Sequence, residues 1–115
     1  MAVLPLNTFR TITRLLTPAI QTLYTCPTGV TGIILMAQVS NVTTSPSLPI
    51  GKVTFNHVRQ GVISPLVLNC PVPPEDARSV LTGRLVLEEG DRITVKADLA
   101  STLQIVMSVV ESANA

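Results

Sequence analysis

The sequence predicts an all-β protein: a two-sheet antiparallel β-sandwich or jelly roll of about eight strands, with an N-terminal extension. Nine prolines and six glycines interrupt the chain at short intervals. The segments between them have the length of strands and are rich in Val, Ile, Leu and Thr, a pattern typical of short strands joined by frequent turns. At 115 residues the chain is long enough for one core. We expect an N-terminal arm and first strand over residues 1–19 and a sandwich domain over residues 20–115.

Four strands are predicted before residue 60, at residues 8–16, 20–26, 32–42 and 52–58. Between the second and the third, Pro27 suits the second position of a turn, and Gly29 and Gly32 tolerate positive φ, so the chain should reverse there. Residues 43–50 contain two prolines and read as a loop, and residues 59–61 read as a tight hairpin.

The third predicted strand is apolar on both of its faces where it begins. Strict alternation places one group of side chains on one face (Ile33, Leu35, Ala37 and Val39) and the other group opposite (Ile34, Met36 and Gln38). Such a strand is expected at the centre of a sheet, covered on both sides.

The second half of the chain predicts four more strands. Residues 62–70 carry Pro65 in mid-run, which marks a sheet edge or a bulge. Residues 71–81 form a long connection whose Pro-Pro-Glu-Asp could begin one helical turn. Residues 83–97 read as a strand, an acidic turn and a strand, and residues 101–111 alternate cleanly as the last strand.

Composition excludes several functions. Charged residues make up only 13% of the chain, about half of the usual share of roughly 25%, so threonine and serine must provide the polar surface. Such surfaces suit strands and contacts with other proteins, because interface centres are depleted in charge. The net charge is +1, the basic residues are scattered and only three residues are aromatic, which argues against nucleic-acid binding.

The sequence also argues against export and membrane insertion. Its N-terminus lacks the pattern of a signal peptide, and polar residues, Gly and Pro interrupt every apolar run before it reaches the ~20 residues that a membrane-spanning helix needs. We therefore expect a soluble protein that is used without export. Cys26 and Cys70 are interpreted as free thiols, although a disulfide remains possible.

No catalytic, cofactor-binding or metal-binding residue is assigned. His57, the one histidine, shares a strand face with Val53 and Phe55 and is interpreted as a packed or interface side chain. The acids of the turn Glu88–Asp91 lack the spacing of a calcium loop and are interpreted as a solvated hairpin tip. We therefore expect a protein that is not an enzyme.

Contacts with a partner are predicted in two segments. The first is the apolar N-terminal arm, which needs something to cover it, and the second is the loop over residues 43–50. The residues singled out are Val3, Leu4, Leu6, Phe9, Ser45, Leu48 and Ile50.

Three stretches carry a resemblance to a known family. They are the Tyr-Thr-Cys-Pro-x-Gly turn at Tyr24–Gly29, the strand end Val39–Asn41 and the Leu-x-Leu-Glu-x-Gly-Asp-x-Ile-x-Val hairpin at Leu85–Val95. Over residues 20–111 the chain resembles small β-sandwich virion structural proteins of tailed bacteriophages, including cyanophages. It departs from them in lacking a longer polar insert between the middle strands and in its extension over residues 1–19.

The resemblance implies a non-enzymatic structural protein of a phage virion, assembled in the host cytoplasm. The leading expectation is a capsid cement or decoration protein that bridges capsid subunits as a trimer or dimer, with the major capsid protein or other virion proteins as partners and no nucleic acid or membrane. The alternatives are a neck, tail or fibre-associated component and a ligand- or carbohydrate-binding jelly roll. The last is disfavoured because one tyrosine and no tryptophan offer little surface for sugar stacking.

Overall fold

The chain folds into nine β-strands in a computed structural model that describes residues 7–43 and 50–114. The strands are β1 (Thr8–Leu15), β2 (Gln21–Thr25), β3 (Val30–Asn41), β4 (Gly51–Arg59), β5 (Val62–Val72), β6 (Ala77–Ser79), β7 (Leu85–Leu87), β8 (Arg92–Ala97) and β9 (Leu103–Ala113). The described residues contain no helix, and hence none long and apolar enough to cross a membrane.

The strands form two antiparallel sheets that face each other. Sheet A has the order β1-β9-β3-β6, and β7 also pairs with β3, so the two short strands β6 and β7 share one edge. Sheet B has the order β2-β8-β4-β5. When β6 and β7 count as one interrupted strand, this is the eight-strand order of a jelly roll. The predicted fold class is therefore confirmed.

The core lies between the sheets and is built from alternating side chains. In β9 every second residue is fully buried, namely Leu103, Ile105, Met107 and Val109. In β8 the inward residues Ile93, Val95 and Ala97 are also buried, as their alternation predicts. Phe55 on β4 is the largest fully buried side chain and faces Val95 across the strand pair.

The alternation predicted for the third strand is wrong over its first half. Ile34 pairs with Val109 and Met36 pairs with Ser108, so Leu35 is an extra residue in a β-bulge. A bulge moves the following residues to the opposite face. Ile34 is therefore buried in the core, Ala37 and Val39 are buried as predicted, and Ile33 points outward. The strand is central in its sheet, but Ile33 is half-buried and Met36 is exposed on its outer face, so the predicted cover on both sides is not found among the described residues.

The middle of the chain confirms one prediction and corrects another. Strand β5 is a sheet edge with register shifts against β4, as Pro65 indicated. The helical turn expected at Pro-Pro-Glu-Asp is not formed. The backbone N–H of Asp76 instead donates to the carbonyl of Pro73 and closes a single turn, after which β6 begins. The tight hairpin at Gln60-Gly61 is present, with positive φ at both residues.

Both cysteines are free thiols, as the sequence favoured. Cys26 is buried in the turn that leads into β3, where its Sγ lies 3.3 Å from the carbonyl oxygen of Val30. Burial raises the pKa of the Cys26 thiol. Cys70 lies half-buried on β5 and packs against the edge of the core.

Candidate interaction surface

The outer face of sheet A carries no charged side chain at any outward-facing strand position. Residues directly opposite each other in an antiparallel pair lie on the same face, so the strand registers define the outward set. It consists of Phe9, Thr11, Thr13, Leu15, Thr31, Ile33, Met36, Gln38, Ser40, Ala77, Ser79, Val86, Gln104, Val106, Ser108, Val110 and Ser112. We call this surface the neutral face. Its depletion in charge is typical of the centre of a protein interface.

An apolar row crosses the neutral face from one edge of sheet A to the other. Phe9 on β1 stands opposite Val110 on β9, which stands opposite Ile33 on β3, which stands opposite Val86 on β7. The two ends of the row are exposed, at 72% for Phe9 and 54% for Val86, whereas Ile33 is half-buried and Val110 is 9% exposed. Met36 adds a further exposed side chain beside the row. Exposed apolar side chains that lie side by side mark interaction sites more often than scattered ones do.

The charges of strands β1 and β9 point away from the neutral face. The inward side of β1 carries Arg10, whose Nη1 lies 3.4 Å from Oε2 of Glu111 on β9. The hydroxyl of Tyr24, the one tyrosine, donates to the same oxygen at 2.5 Å. Burial, and then the hydrogen bond to Glu111, raise the pKa of the Tyr24 phenol well above its usual value. These charged and polar groups therefore pair with one another at the edge of the core, and the outer face of the sheet stays neutral.

The predicted contact residues divide between described and undescribed parts of the chain. Phe9 begins the apolar row, and Ile50 is exposed immediately before β4. The two lie at opposite ends of the sandwich, because Phe9 is opposite Val110 near the end of β9, while Gly51, next to Ile50, lies against Leu103 at the start of β9. The other predicted residues (Val3, Leu4, Leu6, Ser45 and Leu48) lie outside the described residues.

The acidic turn is not a uniformly solvated tip, so that interpretation is corrected for Asp91. The Asp91 carboxylate is 2% exposed. It accepts hydrogen bonds from Arg59 Nη2 at 2.6 Å and from the backbone N–H of Glu88 at 3.0 Å. It also lies 3.0 Å from His57 Nε2. The hydrogen bonds from Arg59 hold the pKa of Asp91 well below its usual range, against the opposing effect of burial.

This arrangement assigns His57 a structural contact. Its side chain is 15% exposed and lies on the inward face of β4, opposite Ile93, which agrees with the packed position that the sequence indicated. The acceptor capacity of Asp91 is used by its donors, and Glu88 pairs with Arg59 at 3.4 Å. Among the described residues no group of three or more His, Cys, Asp or Glu side chains could hold a metal ion.

Sequence reasoning missed most of the neutral face. Phe9 was identified, but Ile33, Val86 and Val110 were not, because their alignment depends on strand order and on the bulge at Leu35. A partial signal was present, since charged residues are absent from every second position of residues 9–15 and 104–112.

Comparison with known proteins supports the fold. No protein-family model matches the sequence, and the search of curated proteins finds no match. Among solved structures, a chain of Bacillus endospore appendages, described as a novel family of disulfide-linked pili, superimposes with a TM-score of 0.56. The two chains are 12% identical, and the match covers 96% of this chain and 88% of the other. At this identity the similarity shows a shared β fold.

Proposed function

We propose that the chain is a non-enzymatic structural subunit that packs its neutral face against a neighbouring protein in an assembly. The observation that carries the proposal is the absence of charge from the outward-facing strand positions of sheet A, together with the apolar row across it, whose two ends are exposed. A face of this composition loses little solvation energy when a partner covers it, because it has no ions to desolvate.

The size of the neutral face suits a specific contact. Strand β9 has 11 residues, which corresponds to about 36 Å at roughly 3.3 Å per residue. Four strand positions at about 4.8 Å give a width of about 19 Å. The product of about 700 Å² is an upper bound, because β1 and the β6–β7 edge are shorter than β9; it is of the same order as the roughly 800 Å² that each partner buries in a standard interface.

The finer proposal is a phage virion protein, with capsid cement or decoration as its leading role. The resemblance at Tyr24–Gly29 and Leu85–Val95 supports it. The structure forms a turn at the first stretch, but the hairpin predicted at the second is wrong, because β7 pairs with β3 in sheet A while β8 lies in sheet B. A cement protein would bridge capsid subunits, as a trimer or dimer, and many copies would add small contact energies. A place at the neck, tail or fibres would use the same face in fewer copies.

A second candidate function is a subunit of an appendage or pilus. It is favoured by the similarity to the Bacillus appendage chain, which extends over nearly the whole of both proteins. A disulfide between subunits would have to involve Cys70 or a cysteine exposed by rearrangement, because Cys26 is buried. Electrophoresis of purified assemblies with and without reductant separates the two functions, since a cement protein held by the neutral face needs no disulfide.

A carbohydrate-binding role has little support in the aromatic side chains. The chain has three aromatic residues, and Tyr24 and Phe55 are buried. Only Phe9 is exposed, whereas sugar recognition by stacking needs an accessible aromatic platform. Absence of binding on a glycan array is the expected result.

The number of copies per purified particle tests the virion proposal. Quantitative mass spectrometry against the major capsid protein should give a comparable number for a cement protein and a small fraction of it for a neck, tail or fibre component. If the chain is missing from purified particles, the virion proposal is wrong.

A charge placed on the neutral face tests the proposed contact. Phe9→Glu should reduce incorporation into the assembly by at least about tenfold, because an unpaired carboxylate would be buried at the contact. Leu68→Glu is the matched control, since Leu68 is 67% exposed and lies on β5 of the other sheet. Circular dichroism should show that both variants fold. Equal incorporation of the two variants would contradict a role for the neutral face.

A further inference from the structure

A cleft on the outer face of sheet B contains both lysines of the chain. It has a volume of about 210 Å³ and is lined by Pro18, Lys52, Thr54, Asn69, Lys96, Ala97 and Asp98. The register explains the convergence: Thr54 on β4 stands opposite Lys96 on β8, and Lys52 lies two residues from Thr54 on the same face. We call this the lysine cleft. It lies on the opposite side of the sandwich from the neutral face.

A β-bulge places Asn69 in the lysine cleft. Val53 pairs with Cys70 and Phe55 pairs with Val67, so two residues of β5 oppose Thr54 alone. Asn69 has a φ of 50°, in the left-handed region where glycine is the unstrained choice. Its backbone N–H donates to Thr54 Oγ1 at 3.1 Å, which fixes this conformation. Bulges near functional sites serve to redirect a side chain, and here the redirected side chain is an amide.

The groups around the lysine cleft are mainly hydrogen-bond donors. Neither Lys52 nor Lys96 forms an ion pair with another described residue. The Oδ1 of Asn69 accepts a hydrogen bond from the Thr54 hydroxyl at 3.4 Å, and the Nδ2 of Asn69 donates a hydrogen bond to no described residue. Asp98 is the one acid in the lining, and its Oδ1 accepts the backbone N–H of Lys52 at 2.7 Å. The two lysine ammonium groups and the Asn69 amide NH₂ are donors, and the single carboxylate, that of Asp98, already accepts one hydrogen bond.

The walls of the lysine cleft are held by backbone hydrogen bonds. The N–H of Ala97 donates to the carbonyl of Thr17 at 3.0 Å, which sets Pro18 at one side. The N–H of Asp98 donates to the carbonyl of Lys52 at 3.0 Å, which ties the ends of β8 and β4 together. Thr54 at the centre is 5% exposed. The cleft is thus formed before any ligand binds, which lowers the entropic cost of binding.

We propose that the lysine cleft binds an oxyanion group, a carboxylate, phosphate or sulfate, through Lys52, Lys96 and the Asn69 amide. A compact ammonium suits such a group as a point charge, and the volume holds several water molecules or one small anion. The proposal stands on the cleft alone and does not depend on the structural-subunit function.

The test is a titration of the full chain with inorganic phosphate, sulfate and acetate, followed by ¹H–¹⁵N NMR at constant ionic strength. Saturable shifts are expected at the Asn69 side-chain amide and at the backbone amides of Lys52 and Lys96. Lys96→Gln should weaken binding by about tenfold, as expected for loss of a charge-assisted hydrogen bond. Arg92→Gln is the matched control, because Arg92 lies on the same strand and face but does not line the cleft.

Asn69→Gly separates ligand binding from folding. Glycine keeps the left-handed backbone and the N–H to Thr54, so the free energy of unfolding should hold, while binding weakens by severalfold because the amide donor is lost. Saturation by phosphate and sulfate but not acetate would identify a tetrahedral anion, and the reverse would identify a carboxylate. No saturable shift with any anion, or equal weakening by Lys96→Gln and Arg92→Gln, would overturn the proposal.

Discussion

Replacing Asp91 by asparagine should lower the free energy of unfolding more than a substitution of any exposed residue in the same turn. The carboxylate is almost completely buried and accepts hydrogen bonds from the Arg59 guanidinium at 2.6, 3.0 and 3.1 Å. Asparagine keeps the volume but removes the charge, and it turns an NH₂ towards groups that are themselves donors. Arg59 then loses its buried partner, and the backbone N–H of Glu88 competes for a weaker acceptor.

The expected loss is about 3 kcal/mol, because removing one member of a buried ion pair costs roughly 3–5 kcal/mol and Arg59 can turn towards solvent. Against a total stability of about 5–15 kcal/mol for a typical domain, this is a large fraction. At roughly 4 °C per kcal/mol for a chain of this size, Tm should fall by about 12 °C. Urea denaturation of the wild-type chain and the variant measures the difference directly.

Glu88→Gln is the matched control for the Asp91 substitution. Glu88 lies in the same turn and contacts the same guanidinium at 3.4 Å, but its side chain is 70% exposed. Exposed ion pairs contribute little, so the control should lose less than about 0.5 kcal/mol. If Asp91→Asn also lost less than about 1 kcal/mol, the buried network would not stabilise this end of the sandwich, and the reasoning would be refuted.

The pH dependence of stability gives an independent test of the same network. The folded pKa of Asp91 lies below its unfolded value of about 3.9, so its contribution is fully present above that value. The contribution is lost as the pH falls through the unfolded and then the folded pKa, since the unfolded chain takes up the proton first. Urea midpoints measured from pH 6 to pH 2 should therefore decline more steeply for the wild-type chain than for Asp91→Asn.

Two further predictions concern the edge of the core and the tight packing of one glycine. Tyr24→Phe should lower the free energy of unfolding, measured by urea denaturation, by about 2 kcal/mol, because Glu111 loses a short charged hydrogen bond. Because the pKa of Tyr24 is raised in the folded chain, the tyrosinate absorbance should not develop near the ordinary pKa of about 10 while the chain stays folded. A normal titration of Tyr24 would contradict this prediction. Gly51→Ala should lower the free energy of unfolding, measured by urea denaturation, by about 1–3 kcal/mol, because the added Cβ would lie 2.9 Å from Leu103 side-chain carbons. In the control Gly29→Ala the Cβ meets open space, so the loss should be only about 1 kcal/mol, caused by the positive φ. Equal losses would show that Leu103 moves aside.

The sequence predicts the strands well where their pairing is regular. Residues 92–97 and 103–109 alternate without interruption, and all the predicted inward residues are buried, although Thr94, predicted to face out, is buried as well. The fold class follows from the same periodicity, because short alternating strands joined by Pro and Gly turns can bury one face only by packing two sheets together. The strand order has no comparable signal, since partners in the sheets are far apart in the chain, as with β1 and β9.

The candidate surfaces are the part that sequence periodicity could not predict. The bulge at Leu35 carries Ile33 onto the neutral face and Ile34 into the core, the reverse of strict alternation. A second irregularity, between Thr22 and Tyr24, buries both Leu23 and Tyr24 although they are neighbours in the chain. A bulge is set by the fit of two strands, so a single strand read alone cannot reveal it.

Bulges also explain how one sandwich carries two chemically different faces. Without the extra residue at Leu35, Ile33 would turn inward and the apolar row from Phe9 to Val86 would be broken at its centre. Without the bulge at Asn69, the amide would leave the lysine cleft. Each bulge costs ladder hydrogen bonds, and the bulge at Leu35 exchanges Ile33 for Ile34 in the core. Their common result is the placement of side chains on the outer faces, which is where an assembly subunit makes its contacts.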